Sequence, residues 1–101
     1  MIARTWHGRT RPAHADEYLD FLNRTGVPEL QKTPGNRGVY VLRRVSGDEA
    51  HFLLISLWES EADIEKFAGK DIDTARYYPG DERFLLEMEP NVTHYEVFVK
   101  P

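Results

Sequence analysis

Apolar residues recur along this chain with two different periods, and in one stretch with no clear period at all. In "FLLISLW", Phe52 to Trp58, the apolar residues Phe52, Leu53, Leu54, Ile55, Leu57 and Trp58 surround the lone Ser56, so a strand here carries apolar groups on both sides of its pleat. "VYVLRRV", Val39 to Val45, lies across Ser46-Gly47-Asp48-Glu49 from it, and the glycine and aspartate predict a hairpin loop between two antiparallel strands. Ile2 to Arg11 mixes β-branched, aromatic and long polar residues ahead of Pro12, which predicts a first strand stopped by the proline. "HYEVFVK", His94 to Lys100, predicts a closing strand with Tyr95, Val97 and Val99 on one face.

The helical period lies between these strands. Acids at Asp16 and Glu17, followed by Tyr18, Phe21, Leu22 and Thr25 at helical spacing, predict a helix that Gly26 ends. Pro28 suits the first turn of another short helical segment through Leu30 and Lys32, and Thr33 to Gly38 is a cluster of turn residues. Ser60 caps the next helix, with Glu61 and Asp63 near its positive end, Ile64, Phe67 and Ala68 inward and Gly69 as its stop. Asp71 to Tyr78 reads as one more short helix halted by Pro79-Gly80, Asp81 to Leu86 as a helical turn or an extended run, and Pro90-Asn91 as a break.

Strand, helix, strand, strand, helices, strand is the βαββαβ order of a ferredoxin-like α+β fold, a four-stranded antiparallel sheet with its helices on one face. That leaves the second side of "FLLISLW" uncovered by its own chain. Two such sheets facing one another bury it, so the expected partner is a second copy of this chain, in a homodimer through the open sheet face.

Composition narrows the setting. With 101 residues, 41% hydrophobic and 30% charged, residues 1–101 are expected to make one domain with a modest core that association would supplement. The absence of cysteine removes disulfides and thiolate sites and accords with a cytoplasmic location. No stretch approaches the roughly 20 apolar residues of a membrane span, and no signal peptide is apparent at Met1 to Trp6. Seventeen acids against thirteen bases, a net charge of −4, disfavour nucleic acid as a partner. Arg4, Arg9 and Arg11 are the local exception, and they read as polar positions on a strand.

Metal and nucleotide chemistry find little support. The histidines at 7, 14, 51 and 94 form no HxxxH pair, and His94 with Glu96 supplies only two ligands on one strand face. No GxGxxG, P-loop or GxSxG occurs, and "PGNRG" lacks the lysine of a phosphate cradle. No metal or organic cofactor is expected.

"LWESEADIEKFAG", together with "ARYYPGDERFLLEMEPNVTHYEVF", resembles the antibiotic biosynthesis monooxygenase superfamily over nearly the whole chain. The resemblance implies a dimeric α/β barrel with a ligand pocket between sheet and helices in each subunit. The superfamily includes cofactor-free oxygenases of aromatic substrates, haem-degrading enzymes and proteins without assigned activity. Haem-degrading relatives carry a second tryptophan where this chain has Phe67, a histidine where it has Arg76-Tyr77-Tyr78, and a strand-one asparagine that it lacks. These departures count against haem degradation. The cofactor-free oxygenases use tyrosine, arginine and tryptophan near the same cleft, and an asparagine with no counterpart here.

The implied reaction needs a substrate phenolate or enolate that passes an electron to dioxygen in a dry pocket. In that chemistry Arg76 stabilises the anion, Tyr77 or Tyr78 donates a hydrogen bond, and His7 or His94 accepts the substrate proton. Trp58 and Phe67 supply ring contacts. The leading expectation is therefore a monooxygenase-like protein with an aromatic or quinone-like ligand. Its first alternative is a dimeric small-molecule-binding or structural protein without catalysis, in which the same aromatics are core; haem binding is the third.

Overall fold

The computed structural model describes residues 1–101. Four strands, β1 (Ile2–Thr10), β2 (Asn36–Ser46), β3 (Glu49–Trp58) and β4 (Thr93–Glu96), form one antiparallel sheet in the order β2-β3-β1-β4. Three helices, α1 (Ala15–Arg24), α2 (Gly26–Lys32) and α3 (Glu61–Ala68), lie on one face of it. This is the ferredoxin-like α+β arrangement that the order of periods implies.

Strand alternation decides what each face holds. Along β3, Ala50, Phe52, Leu54, Ser56 and Trp58 are buried under the helices while His51, Leu53, Ile55 and Leu57 point the other way. Along β1, Arg4, Trp6, Gly8 and Thr10 take the helix side. Against them α1 turns Tyr18, Phe21 and Leu22 inward, α2 turns Val27 and Leu30, and α3 turns Ile64 and Phe67. Ser60 caps α3 by accepting the Asp63 amide at 3.3 Å, and the chain leaves that helix through Gly69 at φ +84°.

The open face is apolar at its centre. Leu53, Ile55 and Leu57 of β3 are flanked by Tyr40 and Leu42 of β2 and, across β1, by Tyr95 of β4. Tyr40 is 51% exposed and Tyr95 58%, so no element of the chain covers this face. No helix is long and apolar enough to cross a membrane.

Several boundaries differ from the sequence expectations, each for a traceable reason. Gly26 opens α2 instead of ending α1; the break falls at Thr25, whose hydroxyl donates back to the Phe21 carbonyl at 2.8 Å. Pro28 then occupies the first turn of α2, where its missing N–H costs nothing. The hairpin turn shrinks to Gly47-Asp48, with Ser46 and Glu49 already paired and Gly47 at φ +63°. At its other end β2 begins at Asn36, with a bulge before Gly38 in which the Asn36 side chain accepts the Gly38 amide at 3.0 Å.

The predicted helix over 71–78 does not form. Its backbone pairs instead with residues 90–92: Val92 N–H donates to Asp73 O at 2.8 Å and Ala75 N–H to Pro90 O at 2.9 Å. Asp71, Asp73 and Thr74 are weak helix formers, and Tyr78 precedes a proline, which disfavours helical backbone there. The closing strand is shorter than His94 to Lys100. It ends at Glu96, opposite Ile2, with one further backbone bond, from the Val97 N–H to the Met1 carbonyl at 3.0 Å; Phe98 beyond it is 86% exposed.

Candidate ligand cavity

A narrow cavity lies between β1 and the helices, with a volume of about 40 Å³. Its floor is Arg4 and Trp6 of β1 with Leu54 of β3, its walls are Tyr18 and Leu22 of α1 and Phe67 of α3, and the segment from Arg76 to Asp81 closes it. Gly8 makes room for this arrangement: a Cβ at that position would stand 2.3 Å from the Trp6 ring, which lies along the strand over it. Gly80, at φ +109°, likewise lets the closing segment approach Phe21, whose ring would be 2.8 Å from an added Cβ.

Arg4 is the unusual lining residue. It is 5% exposed, donates from Nη2 to the Thr74 carbonyl at 3.0 Å, and holds its Nε–H buried with no acceptor. Burial is the main reason its pKa is pushed down to about 10, against the stabilising field of Asp73. A buried cation without a bound carboxylate is costly, and neither Arg4 nor Asp81 takes part in any ion pair of the structure.

Asp81 is the second buried charge of the lining. It is 3% exposed and accepts the Tyr18 hydroxyl at Oδ1 and the Tyr78 amide at Oδ2, both at 2.7 Å. Burial pushes its carboxyl pKa up, and those two hydrogen bonds pull it back in part. Tyr78 places its own hydroxyl in the interior without a partner. Burial raises that phenol's pKa, opposed by the nearby Arg76.

Arg76 stands exposed at the mouth. Its guanidinium carbon is 4.8 Å from the Phe67 ring centre and 5.0 Å from that of Tyr78, and Nη1 donates to the Phe67 carbonyl at 3.1 Å. Tyr77 is more committed: its hydroxyl donates to the Glu89 carbonyl at 2.5 Å and accepts from Trp6 Nε1 at 3.3 Å. An apolar, aromatic space with two cations, one unpaired phenol and one carboxylate can hold an electron-rich group and orient it.

Residues 1–72 match the antibiotic biosynthesis monooxygenase family. The chain belongs to that family. No curated protein sequence matches it. Among solved structures, the haem degrader MhuD of Mycobacterium tuberculosis, determined with two haems in its active site, is 20% identical with a TM-score of 0.61, over 100% of this chain and 99% of that one. A structure described as an antibiotic biosynthesis monooxygenase is 17% identical with a TM-score of 0.68, over 98% and 100% of the two chains. A Pseudomonas aeruginosa protein is 17% identical with a TM-score of 0.63, over 99% and 94%. At these identities the likeness is one of fold. The family match ends before Arg76, so the whole of the segment that closes the cavity lies beyond it.

Of the seven expected site residues, Phe67, Arg76, Tyr77 and Tyr78 line the cavity. The other three expected site residues do not join them. His7 is on the open face, with Nδ1 2.6 Å from Glu89 Oε2 and Nε2 3.1 Å from His51 Nδ1, because β1 directs its odd-numbered residues away from the helices. Trp58 is fully buried beside Phe67 and donates from Nε1 to Ser56 Oγ at 2.8 Å, a core position behind the cavity wall. His94 sits opposite Arg4 on β4, with Nδ1 3.0 Å from Asp73 Oδ1 and Nε2 buried without a partner.

Sequence reasoning passed over Arg4, Trp6, Tyr18 and Asp81. The alternation Arg4, Trp6, Gly8 was the available signal for the first two, but Thr5, His7 and Arg9 offered no clear apolar contrast to it. Asp81 was concealed in a segment whose conformation the pattern left open.

Proposed function

We propose that this chain binds a small anionic aromatic molecule between its sheet and helices, as a homodimer joined through the open sheet face. The observation that carries the reading is Arg4: a buried cation with an unused Nε–H, in a cavity that also holds the equally unused Tyr78 hydroxyl and is lined mostly by rings and aliphatic groups, with Arg76 and Asp81 as its other charges. A carboxylate or phenolate oxygen there satisfies both groups and the charge together. The 40 Å³ of the cavity is far below the roughly 300 Å³ of ordinary ligand pockets, so a ring needs the space to widen, with the exposed Arg76 withdrawing from between Phe67 and Tyr78.

Benzoate and its neutral isostere benzamide test this by titration calorimetry. Benzoate is expected to bind at least tenfold more tightly, the difference of one charge-assisted hydrogen bond. Equal affinity, or no binding of either, contradicts the reading.

Oxygenation without a cofactor is the second reading, favoured by the same buried cation, which would stabilise a phenolate long enough for it to pass an electron to dioxygen. Dioxygen uptake with a hydroquinone that has first been shown to bind is its measurement, and a bound hydroquinone that consumes none removes it. Haem, the ligand named for MhuD, meets no histidine in this cavity.

A further inference from the structure

The open face carries a row of titratable side chains that the cavity does not use. His7 of β1 and His51 of β3 stack there, their ring centres 5.3 Å apart and their planes 27° from parallel. His7 Nε2 lies 3.1 Å from His51 Nδ1, and each outer ring nitrogen turns to a carboxylate: His7 Nδ1 is 2.6 Å from Glu89 Oε2, and His51 Nε2 is 3.5 Å from Glu49 Oε1. Beside the pair stand Arg9 of β1, bonded to both Glu49 and Glu87, and Arg44 of β2, the ladder partner of His51. Arg43 lines the same groove and is paired with Asp16.

Ring hydrogens decide what this row tolerates. A carboxylate only accepts, so His7 Nδ1 and His51 Nε2 must each carry a hydrogen to face their acids favourably, and the contact between the rings has room for one hydrogen only. That is one hydrogen more than two neutral imidazoles hold, so the row is complete when the pair shares a single positive charge. Glu49, Glu87 and Glu89 then balance Arg9, Arg44 and the pair. A second proton sets two N–H groups against each other across 3.1 Å and leaves the row positive, so one ring must turn away. His7 is held by its short contact to Glu89, whereas His51 has only the longer one, to a Glu49 already bonded to Arg9. His51 is therefore the ring that leaves. It borders a groove of about 350 Å³ that Leu42 and Leu53 also line.

We infer that the His7–His51 pair makes the homodimer sensitive to acid: with one shared proton His51 rests against His7, and a second proton turns its charged ring out towards Leu42 and Leu53, on the surface that a second copy covers. This rests on the open-face homodimer proposed above and goes beyond it by naming what regulates the joint. A cation brought to an apolar joint without a partner opposes association, and the neighbouring Arg44 adds repulsion. Imidazole is the side chain whose charge changes near neutrality. The other two histidines lie off this row, His14 against Phe84 and His94 against Asp73.

Light scattering across a concentration series, at about pH 7.5 and about pH 5.5, compares the unmodified chain with His51→Gln. Glutamine accepts from His7 through its carbonyl and donates to Glu49 through its amide, and it takes up no proton. The dimer dissociation constant of the unmodified chain is expected to rise about tenfold or more on acidification, and that of the variant to change by less than about threefold. An equal acid response in the two chains, or none in the unmodified one, overturns the inference and leaves the dimer standing. A monomer at both pH values overturns both. Should His51→Gln fail to fold, proton–proton Overhauser contacts between the His7 and His51 rings of the unmodified chain decide: they are expected at the higher pH and lost at the lower, and contacts kept at both overturn the inference.

Discussion

The two faces of this sheet are incomplete in opposite ways. On the helix side, polar groups are buried without partners: Arg4 Nε, the Tyr78 hydroxyl and His94 Nε2. On the open side, apolar groups face outward without cover, among them Tyr40, Leu42 and Tyr95 beside Leu53, Ile55 and Leu57. The first deficit calls for a small polar ligand that can enter a narrow space, the second for a broad apolar surface. One strand serves both, since β1 sends Arg4 and Trp6 to the cavity and Ala3 and Thr5 to the open face. The rim of the open face is different again. There His7, His51, Arg9, Glu49 and Glu89 pair with one another, so the uncovered apolar area is bounded by polar groups, as an interface core is by its rim.

The largest effect is expected on the open face. Ile55→Asp places a carboxylate at the centre of the apolar surface, and burying it unpaired in a dimer costs about 4 kcal/mol, on the order of a thousandfold in dissociation constant. Light scattering across a concentration series is expected to show dimer for the unmodified chain and monomer for the variant. Dimers of equal strength in both would remove the open face as the joining surface.

Next comes Arg4→Gln, which attacks the other face. Benzoate affinity should fall by about 1.5–3 kcal/mol, the range of a hydrogen bond to a charged group. Thermal stability of the unliganded protein should hold or rise, because the variant removes a buried, unpaired charge. A large loss of stability with unchanged binding would instead make Arg4 a structural residue. Tyr78→Phe probes the neighbouring unpaired hydroxyl, with an affinity loss of about 0.5–1.5 kcal/mol, that of a neutral hydrogen bond, and no loss of stability.

The smallest effect is in pH. Asp81 has its folded-state pKa raised above the unfolded value, mainly by burial, so its contribution to stability is fully present below the unfolded carboxylate range and is lost as pH rises through the folded pKa. Asp81→Asn lacks that titration. The stability of the variant relative to the unmodified protein should therefore be most favourable near neutrality and decline as the pH is lowered through the raised pKa, as read from denaturant unfolding at a series of pH values. A difference that is flat over that range would contradict the burial of an ionised Asp81.

The same contrast between faces explains what could be read without a structure. "FLLISLW" announces apolar residues on both sides of a strand, and Ser60 with Glu61 and Asp63 announces a helix, because those signals are local. The course of 71–80 does not depend on local preference. Its backbone is satisfied by residues 90–92 and by the Arg4 side chain, partners that no window of neighbouring residues contains. Phe67, Arg76, Tyr77 and Tyr78 are reached through the family resemblance, which does not extend to Arg4 and Asp81. Both are charged residues whose burial follows from strand direction and tertiary contact, and charge alone gives them the pattern of surface positions. His7 shows the reverse error, since the one-residue alternation that takes Trp6 to the cavity takes its neighbour to the far face.

The most direct test of the account is a crystal structure of the protein soaked with benzoate. The carboxylate is expected within about 3 Å of Arg4 Nε and the Tyr78 hydroxyl, with Arg76 withdrawn from the mouth and the ring between Trp6 and Phe67. A benzoate found only on the surface, with Arg4 and Tyr78 satisfied by water in a cavity still closed by Arg76, would contradict it.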